Sequence, residues 1–440
     1  MISSGCFPSA WKVSPPHGVD VAAVEALDER DPLAGFRDRF FIPGGKRYFD
    51  GNSLGLLSRE AEQSVLQALD AWRELAIDGW TTGNRPWFYL GEELGAAQAE
   101  LVGALPSEVV VTGGITINLH ALLATFFQPR PGRTKLVADA LNFPSDLYAL
   151  QSHLRLRGLD PAEDLILVPS RDGRTIDEDD VLEAMGRPGV ALVWLPSVLY
   201  RSGQLLDIQL LTQAANARGI PIGFDCAHSI GSVPHQLHEW GVDFAVWCTY
   251  KYLNAGPGAV GGLYVHERHH SRGPGMAGWW GSDKLRQFDM ATEFTPAATA
   301  GAWQIGTPSV LGAAALYGSL QMLREAGLER VREKSLGLTS LLIDLMDRDL
   351  APLGFEIGTP RDPARRGGHV ALEHPEAVRI TRALKARGII PDFRPPNVIR
   401  LAPVALYTRY ADVVELVVTL KTIVESREYR KFAEDRAVVA

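Results

Sequence analysis

Residues 220–265 read IPIGFDCAHSIGSVPHQLHEWGVDFAVWCTYKYLNAGPGAVGGLYV. Two short apolar runs stand out. Ile220–Phe224 ends on an acid, Asp225, with His228 three residues further on. Val242–Trp247 runs into Thr249-Tyr250-Lys251 and then a turn, Gly256-Pro257-Gly258. Short Val, Ile and Phe runs bounded by turn residues fit buried parallel strands. An open α/β sheet receives its ligands at the carboxyl ends of such strands. The stretch therefore predicts an acid at one strand end and a lysine just beyond the next.

Working outward, the same alternation recurs. Glu108–His120 is a strand that breaks into the turn Gly113-Gly114 and then a helix. Lys135–Asp139, Leu165–Val168 and Val190–Pro196 read as further strands, with helices over Leu147–Arg157, Asp179–Met185 and Ile208–Arg218. This order predicts an α/β fold with a mostly parallel sheet covered by helices on both faces. After His266 the alternation stops. Gly/aromatic loops (Gly278–Gly281 and Gly301–Pro308) lead through two long helices, Leu311–Ala326 and Val331–Met346, into a smaller α/β unit. That unit holds strands Phe355–Ile357, Val370–Leu372 and Val398–Pro403, a helix Pro375–Arg387, and a closing helix Thr408–Glu428.

An Asp and a Lys at neighbouring strand ends are the two groups a pyridoxal phosphate site requires. The amine bonds the aldehyde, and the carboxylate partners the pyridinium nitrogen. Each residue alone has a plainer explanation, a helix cap for Asp225 and a solvated side chain for Lys251. Together, with His228 and Tyr250 alongside, they favour the cofactor. The helix that follows Gly113-Gly114 presents free N–H groups to an anion, with the Thr116 hydroxyl beside them. Phe143 stands where a ring covers a flat cofactor. Trp80 and Trp87 read first as ordinary core, with a flat wall for an aromatic ligand as the alternative. His266-Glu267-Arg268-His269-His270 suggests metal binding, but no second cluster is visible in the sequence, so a solvated turn is expected.

The 440 residues are too many for one simple core, so two domains are expected. A net charge of −8 leaves no basic footprint for nucleic acid. No apolar run reaches the ~20 residues of a membrane span, and the first residues lack the pattern of a signal peptide. Three cysteines, Cys6, Cys226 and Cys248, without a CxxC spacing, predict neither a disulfide framework nor a zinc site, and a cytoplasmic location. Residues 1–45, rich in Pro and Gly with one helical stretch at Val19–Arg30, read as an arm over the surface or across a partner subunit. The helix Ser58–Ile77 is apolar at Val65, Leu66, Leu69 and Trp72, and a second follows at Leu90–Leu105.

Seven segments, in this order, carry a resemblance: Asp50–Gly55 (DGNSLG), Thr116–His120 (TINLH), Phe143–Asp146 (FPSD), Asp225–His228, Trp247–Ala255 (WCTYKYLNA), Gly278–Gly281 (GWWG) and Asn397–Tyr407 (NVIRLAPVALY). The chain resembles the kynureninase family of fold-type-I pyridoxal phosphate enzymes from about Tyr48 to about Ser426. The resemblance implies a seven-stranded large cofactor domain over residues 51–310. It also implies a smaller C-terminal domain over 311–440, packed with an N-terminal arm, 1–50. The activity it implies is hydrolysis of L-kynurenine, and of its 3-hydroxy form, to the anthranilate and L-alanine.

The same resemblance implies these roles. Lys251 holds the cofactor and shuttles protons, Asp225 keeps the pyridine nitrogen protonated, and His228 supports the phenolic side of the ring. Phe143 stacks, with Asp146 nearby. Ile115, Thr116 and Tyr250 take the phosphate, with Trp279 and Thr307 reaching it from a neighbouring subunit in a homodimer. Arg400 clamps the substrate carboxylate, and Ser53, Trp80 and Gly306 line the aromatic end. Trp80 and Gly306-Thr307 resemble the bacterial pattern, implying preference for plain kynurenine. Pro196 departs from it, standing where a small hydroxyl residue is expected. Two rivals remain within the fold. One is a desulfurase- or aminotransferase-like enzyme. The other is a family member serving a specialised biosynthesis.

Overall fold

The computed structural model describes residues 20–435; Cys6 and the rest of residues 1–19 lie outside them. The chain divides into two units. One takes in 54–200 and 204–328, and the other takes in 20–53, 201–203 and 329–435.

The first unit is built on seven strands: β1 (Val109–Thr112), β2 (Lys135–Asp139), β3 (Leu165–Val168), β4 (Val190–Pro196), β5 (Ile222–Asp225), β6 (Phe244–Cys248) and β7 (Gly261–Val265). Their spatial order is β1-β7-β6-β5-β4-β2-β3. The pairs from β3 through β6 are parallel, while β7 runs antiparallel to both β6 and β1. The mostly parallel, seven-stranded expectation holds. Strands β4, β5, β6 and β7 are buried along their whole length, which is why they read as unbroken apolar runs. Helices Ile115–Phe126 and Pro144–Leu156 bring Leu119, Leu122, Phe126, Leu150 and Leu154 against Leu192, Trp194, Phe244 and Val246. Phe126 and Phe244 stack at 4.5 Å. Gly223 on β5 is there for space, since a Cβ would lie 2.1 Å from the Phe244 ring.

Helix Val310–Ala326 also belongs to this unit, so the smaller unit begins at 329 rather than 311. The reason is close packing. A Cβ on Gly318 would stand 2.1 Å from the Glu60 carbonyl at the start of helix Arg59–Leu75. Ser58 caps that earlier helix, its hydroxyl accepting the Ala61 N–H at 3.1 Å. Its apolar positions Leu66, Leu69 and Trp72 are exposed, Trp72 at 58%.

The second unit has a four-stranded antiparallel sheet of β8 (Glu356–Ile357), β9 (Val370–Glu373), β10 (Asp392–Arg394) and β11 (Val398–Leu401), in the order β10-β11-β9-β8. Helices Leu328–Asp349, Ala377–Ala386 and Tyr410–Glu425 bury Leu342, Met346, Ile380, Leu384, Val413 and Leu420 with Leu372, Ile399 and Leu401 of the sheet. Residues 20–53 belong to this unit. Asp28 accepts the first N–H groups of helix Tyr410–Glu425 at 2.7 and 3.1 Å. Lys334 pairs with Asp31 at 2.6 Å, both side chains buried. Arg47–Tyr48 pairs in parallel with Ile389–Ile390. No helix among the described residues is long and apolar enough to cross a membrane.

Candidate active site

The carboxyl ends of β5 and β6 bring the leading candidates together. Asp225 is the last residue of β5, and Lys251 lies three residues past β6. The Lys251 amine and His228 Nε2 are 3.0 Å apart. Asp225 accepts the Ala227 N–H at 2.8 Å. Burial raises its pKa, and the Lys251 charge opposes that rise. Burial also raises the Tyr250 hydroxyl above its usual pKa, helped by Cys248, so the phenol stays protonated at neutral pH. The turn around Lys251 is set by backbone. Asn254, at φ +56°, donates its N–H to the Lys251 carbonyl at 3.0 Å. Gly55, the last residue of DGNSLG, donates to the Tyr250 carbonyl at 2.7 Å. A Cβ on Gly55 would stand 2.3 Å from the Lys251 carbonyl oxygen, so only glycine fits there.

Asp146 in the first turn of helix Pro144–Leu156 is fully buried. Its Oδ2 accepts the Trp194 indole N–H at 2.9 Å, while Oδ1 is buried with no partner. Burial, with the nearby Asp225 charge adding to it, pushes this carboxyl well above its ordinary range. Phe143 precedes it, 44% exposed, meeting Tyr200 edge-on at 5.2 Å. Ile115 and Thr116 open helix Ile115–Phe126 behind Gly114. Asn118 holds that turn by donating to the Thr112 carbonyl at 2.9 Å. The exposed Gly306-Thr307 turn borders the same hollow as Gly113 and Ile117. These residues fit pyridoxal phosphate. They offer a lysine amine, a buried acid, an acid oxygen without a partner and a helix start for an anion.

Pro196 ends β4, and Ser197 follows it. Ser197 Oγ donates to the Asp225 carbonyl at 3.0 Å and lies 2.7 Å from Ser229 Oγ. This buried serine pair behind Asp225 was not foreseen, nor was Trp194. Both sit on strand positions that read simply as core. Trp87 is buried, as core was the first expectation, while Trp80 is half-buried and meets Trp87 and Trp280 at 5.7 and 5.1 Å. Trp279 is 42% exposed, edge-on to Phe288 at 5.7 Å.

Ser53 and Arg400 lie in the other unit. Arg400, on β11, is buried and donates through Nε to Asp392 Oδ2 at 2.7 Å and through Nη2 to Ser53 Oγ at 3.0 Å. Asp392, its cross-strand partner on β10, was missed in the sequence because it sits on a strand of three residues between prolines.

The His266–His270 turn is not the solvated turn expected. His266 and His269 are mostly buried, His269 lying 2.6 Å from Asp243. A second cluster does exist, since Glu108, His238 and His266 bring their donor atoms within 4.8 Å of one another. The Glu108 oxygens are already taken by the N–H groups of Leu105 and Glu267 and by His238 Nδ1, at 2.8–2.9 Å, so the group works as a clasp.

A family model described as the kynureninase C-terminal domain matches residues 331–420. A kynureninase of Geobacillus thermodenitrificans is 58% identical over 94% of this chain and 96% of its own length. One of Bacillus cereus is 56% identical over the same shares. A solved C-DES mutant, with glycine covalently linked to its pyridoxal phosphate cofactor, shares the fold. Its TM-score is 0.75 at 17% identity, over 88% of this chain and 98% of that one. With whole-length identity this high, the chain belongs to the kynureninase family.

Proposed function

We propose that the protein is a pyridoxal phosphate-dependent hydrolase that cleaves the Cβ–Cγ bond of L-kynurenine to anthranilate and L-alanine, as in tryptophan catabolism. The observation that carries this reading is the pairing of the Lys251 amine with His228 at 3.0 Å beside the buried Asp225. When bound, the cofactor supplies an electron sink for charge developing at Cα and Cβ. Lys251 would hold it through its amine, and that amine, once displaced by the amine of the substrate, would be placed to take the proton from Cα. Asp225, buried at the end of β5, would accept the pyridine N–H and keep that nitrogen protonated. Asp146, with an unpartnered oxygen, and His228 would border the ring, and Phe143 would cover it. Ile115 and Thr116 would take the phosphate at the helix start. Tyr250, kept protonated by burial, donates its phenolic proton toward the γ-carbonyl oxygen as water adds there. Arg400, held by Asp392 and Ser53, receives the substrate carboxylate, and Trp80 and Gly306 border the aryl ring.

The active form is inferred to be a homodimer, with Trp279 and Thr307 serving the neighbouring subunit's phosphate. Exposed Leu66, Leu69, Trp72 and Ile77 form an apolar surface suited to a second copy. A cytoplasmic location fits the free, buried thiols of Cys226 and Cys248. Those thiols also speak against a desulfurase, which needs an accessible sulfur. Burial, with the Asp225 charge, raises Cys226 to about 12, and burial raises Cys248 as well.

The test is a parallel assay of the purified holoenzyme with L-kynurenine and L-3-hydroxykynurenine, following anthranilate fluorescence and alanine. Fast cleavage of plain kynurenine is expected. Cleavage of only the hydroxylated compound would overturn the pocket assignment, and cleavage of neither would overturn the substrate.

A further inference from the structure

Lys284 is buried where a lysine is seldom found. Its side chain is 7% exposed, and its amine lies 4.3 Å over the Trp280 ring and 5.4 Å from that of Phe88. The amine donates to the Trp280 carbonyl at 2.7 Å and faces Glu92 Oε1 at 3.7 Å. Burial lowers its pKa to about 8, and Glu92 opposes the fall. Glu92 reaches further, since its Oε1 also accepts the Gln304 side-chain amide at 2.8 Å. Gln304 opens the segment Gln304-Ile305-Gly306-Thr307. Trp280 also meets Trp80 at 5.1 Å and Phe88 at 5.5 Å.

The two loops are pressed together by backbone as well. A Cβ at Gly278 would lie 2.2 Å from the Ile305 carbonyl, and one at Gly281 would lie 2.3 Å from that of Ala302. One buried cation and one acid thus connect the indole wall at Trp80 to the turn at Gly306-Thr307. A desolvated ammonium between aromatic faces is held both by the rings and by its counter-ion. Removing the acid leaves a buried ammonium without its counter-ion, and removing the ammonium leaves a partly exposed acid held by Gln304 alone; in either case the wall and the turn lose their common reference.

We propose that Lys284 and Glu92 are a positioning pair that sets the spacing between Trp80 and the Gly306-Thr307 turn, and thereby governs recognition of the aryl end of an aryl γ-keto amino acid. The assignment rests on the function proposed above. The pair does not touch the reacting atoms, so its effect falls on substrate and product affinity before turnover.

The experiment compares wild-type holoenzyme with Lys284→Met, Lys284→Arg and Glu92→Gln. Anthranilate binding is titrated by tryptophan fluorescence, alongside kcat and KM for L-kynurenine and L-3-hydroxykynurenine. Lys284→Met and Glu92→Gln are expected to weaken anthranilate binding and raise KM about tenfold, with kcat within about threefold of wild type. They also change the ratio of kcat/KM for the two substrates by about fivefold, and Lys284→Arg restores most of the loss. Unchanged anthranilate affinity in both charge-removing variants overturns the proposal. So does an equal loss for both substrates that tracks a lowered Tm, which marks a merely structural pair. Wild-type enzyme that binds anthranilate but cleaves neither kynurenine refutes the proposed reaction alone, because the binding arm still reads the pair.

Discussion

The two ends of the central sheet treat buried acids in opposite ways. At the amino end, Asp243 just before β6 is held by Arg268 and His269, each at 2.6 Å, and by the Ile222 N–H at 2.8 Å. Burial by itself raises its pKa, but the His269 hydrogen bond and the Arg268 charge outweigh that and carry it below the ordinary value. Glu108 at the same end has both oxygens occupied. At the carboxyl end, Asp139, Asp146 and Asp225 are all raised by burial, and Asp139 and Asp146 each keep an oxygen without a partner. Satisfied acids hold a fold together. Acids left short of partners mark where a ligand completes the set.

The sharpest test of this contrast is Lys251→Ala. It is expected to lower kcat/KM by about 10³-fold or more and to abolish the visible absorbance of the lysine-bound cofactor, with the fold intact by circular dichroism. A variant that keeps that absorbance ends the assignment of Lys251. Asp225→Asn is expected to cost about 10²-fold in kcat, with no loss of apoenzyme stability, because the charge removed is one the folded state disfavours. Asp243→Asn should do the reverse, losing about 3 kcal/mol in urea unfolding with kcat unchanged in the surviving enzyme. If Asp243→Asn silences the enzyme at full stability, the division between the two ends fails.

Acidity separates the ends in opposite directions. Asp139, raised from 3.8 to about 7, stays protonated in the folded chain where the unfolded chain has already ionised. Its contribution to stability therefore declines as pH rises across that interval, and Asp139→Asn should flatten the decline in a Tm-versus-pH series. Asp243, with its pKa lowered, contributes stability that is present above the unfolded value of 3.8 and is lost as pH falls through the folded one. The smallest effect is expected from His238→Ala, which removes one partner of Glu108, at about 1 kcal/mol by the same unfolding measurement.

The sheet was legible because β4, β5 and β6 are buried on both faces and so leave runs without polar interruption. Asp225 and Lys251 were legible because each terminates or follows such a run. The strand Gly261–Val265 was not, and nothing in it distinguishes an antiparallel strand from its parallel neighbours. Partnership was not legible either. Asp392 meets Arg400 through strand register, Lys284 meets Glu92 across about 190 residues of chain, and His266 meets Glu108 across some 160. No local periodicity announces any of these pairs. The exposure of Leu66, Leu69 and Trp72 was not legible for a related reason, as helical spacing records that a face is apolar but not which surface covers it.

Cys226 and Cys248 sit at the ends of β5 and β6, flanking the lysine turn, and are 0% and 2% exposed. A thiol reagent in solution therefore reacts only when this edge of the sheet opens. With Cys6 replaced, the rate of modification becomes a clock for breathing of the catalytic edge, reporting on it without a substrate or a spectroscopic label. Cofactor and product should slow that clock by as much as they stabilise the closed edge, so the two native sulfurs turn ligand affinity into elapsed time.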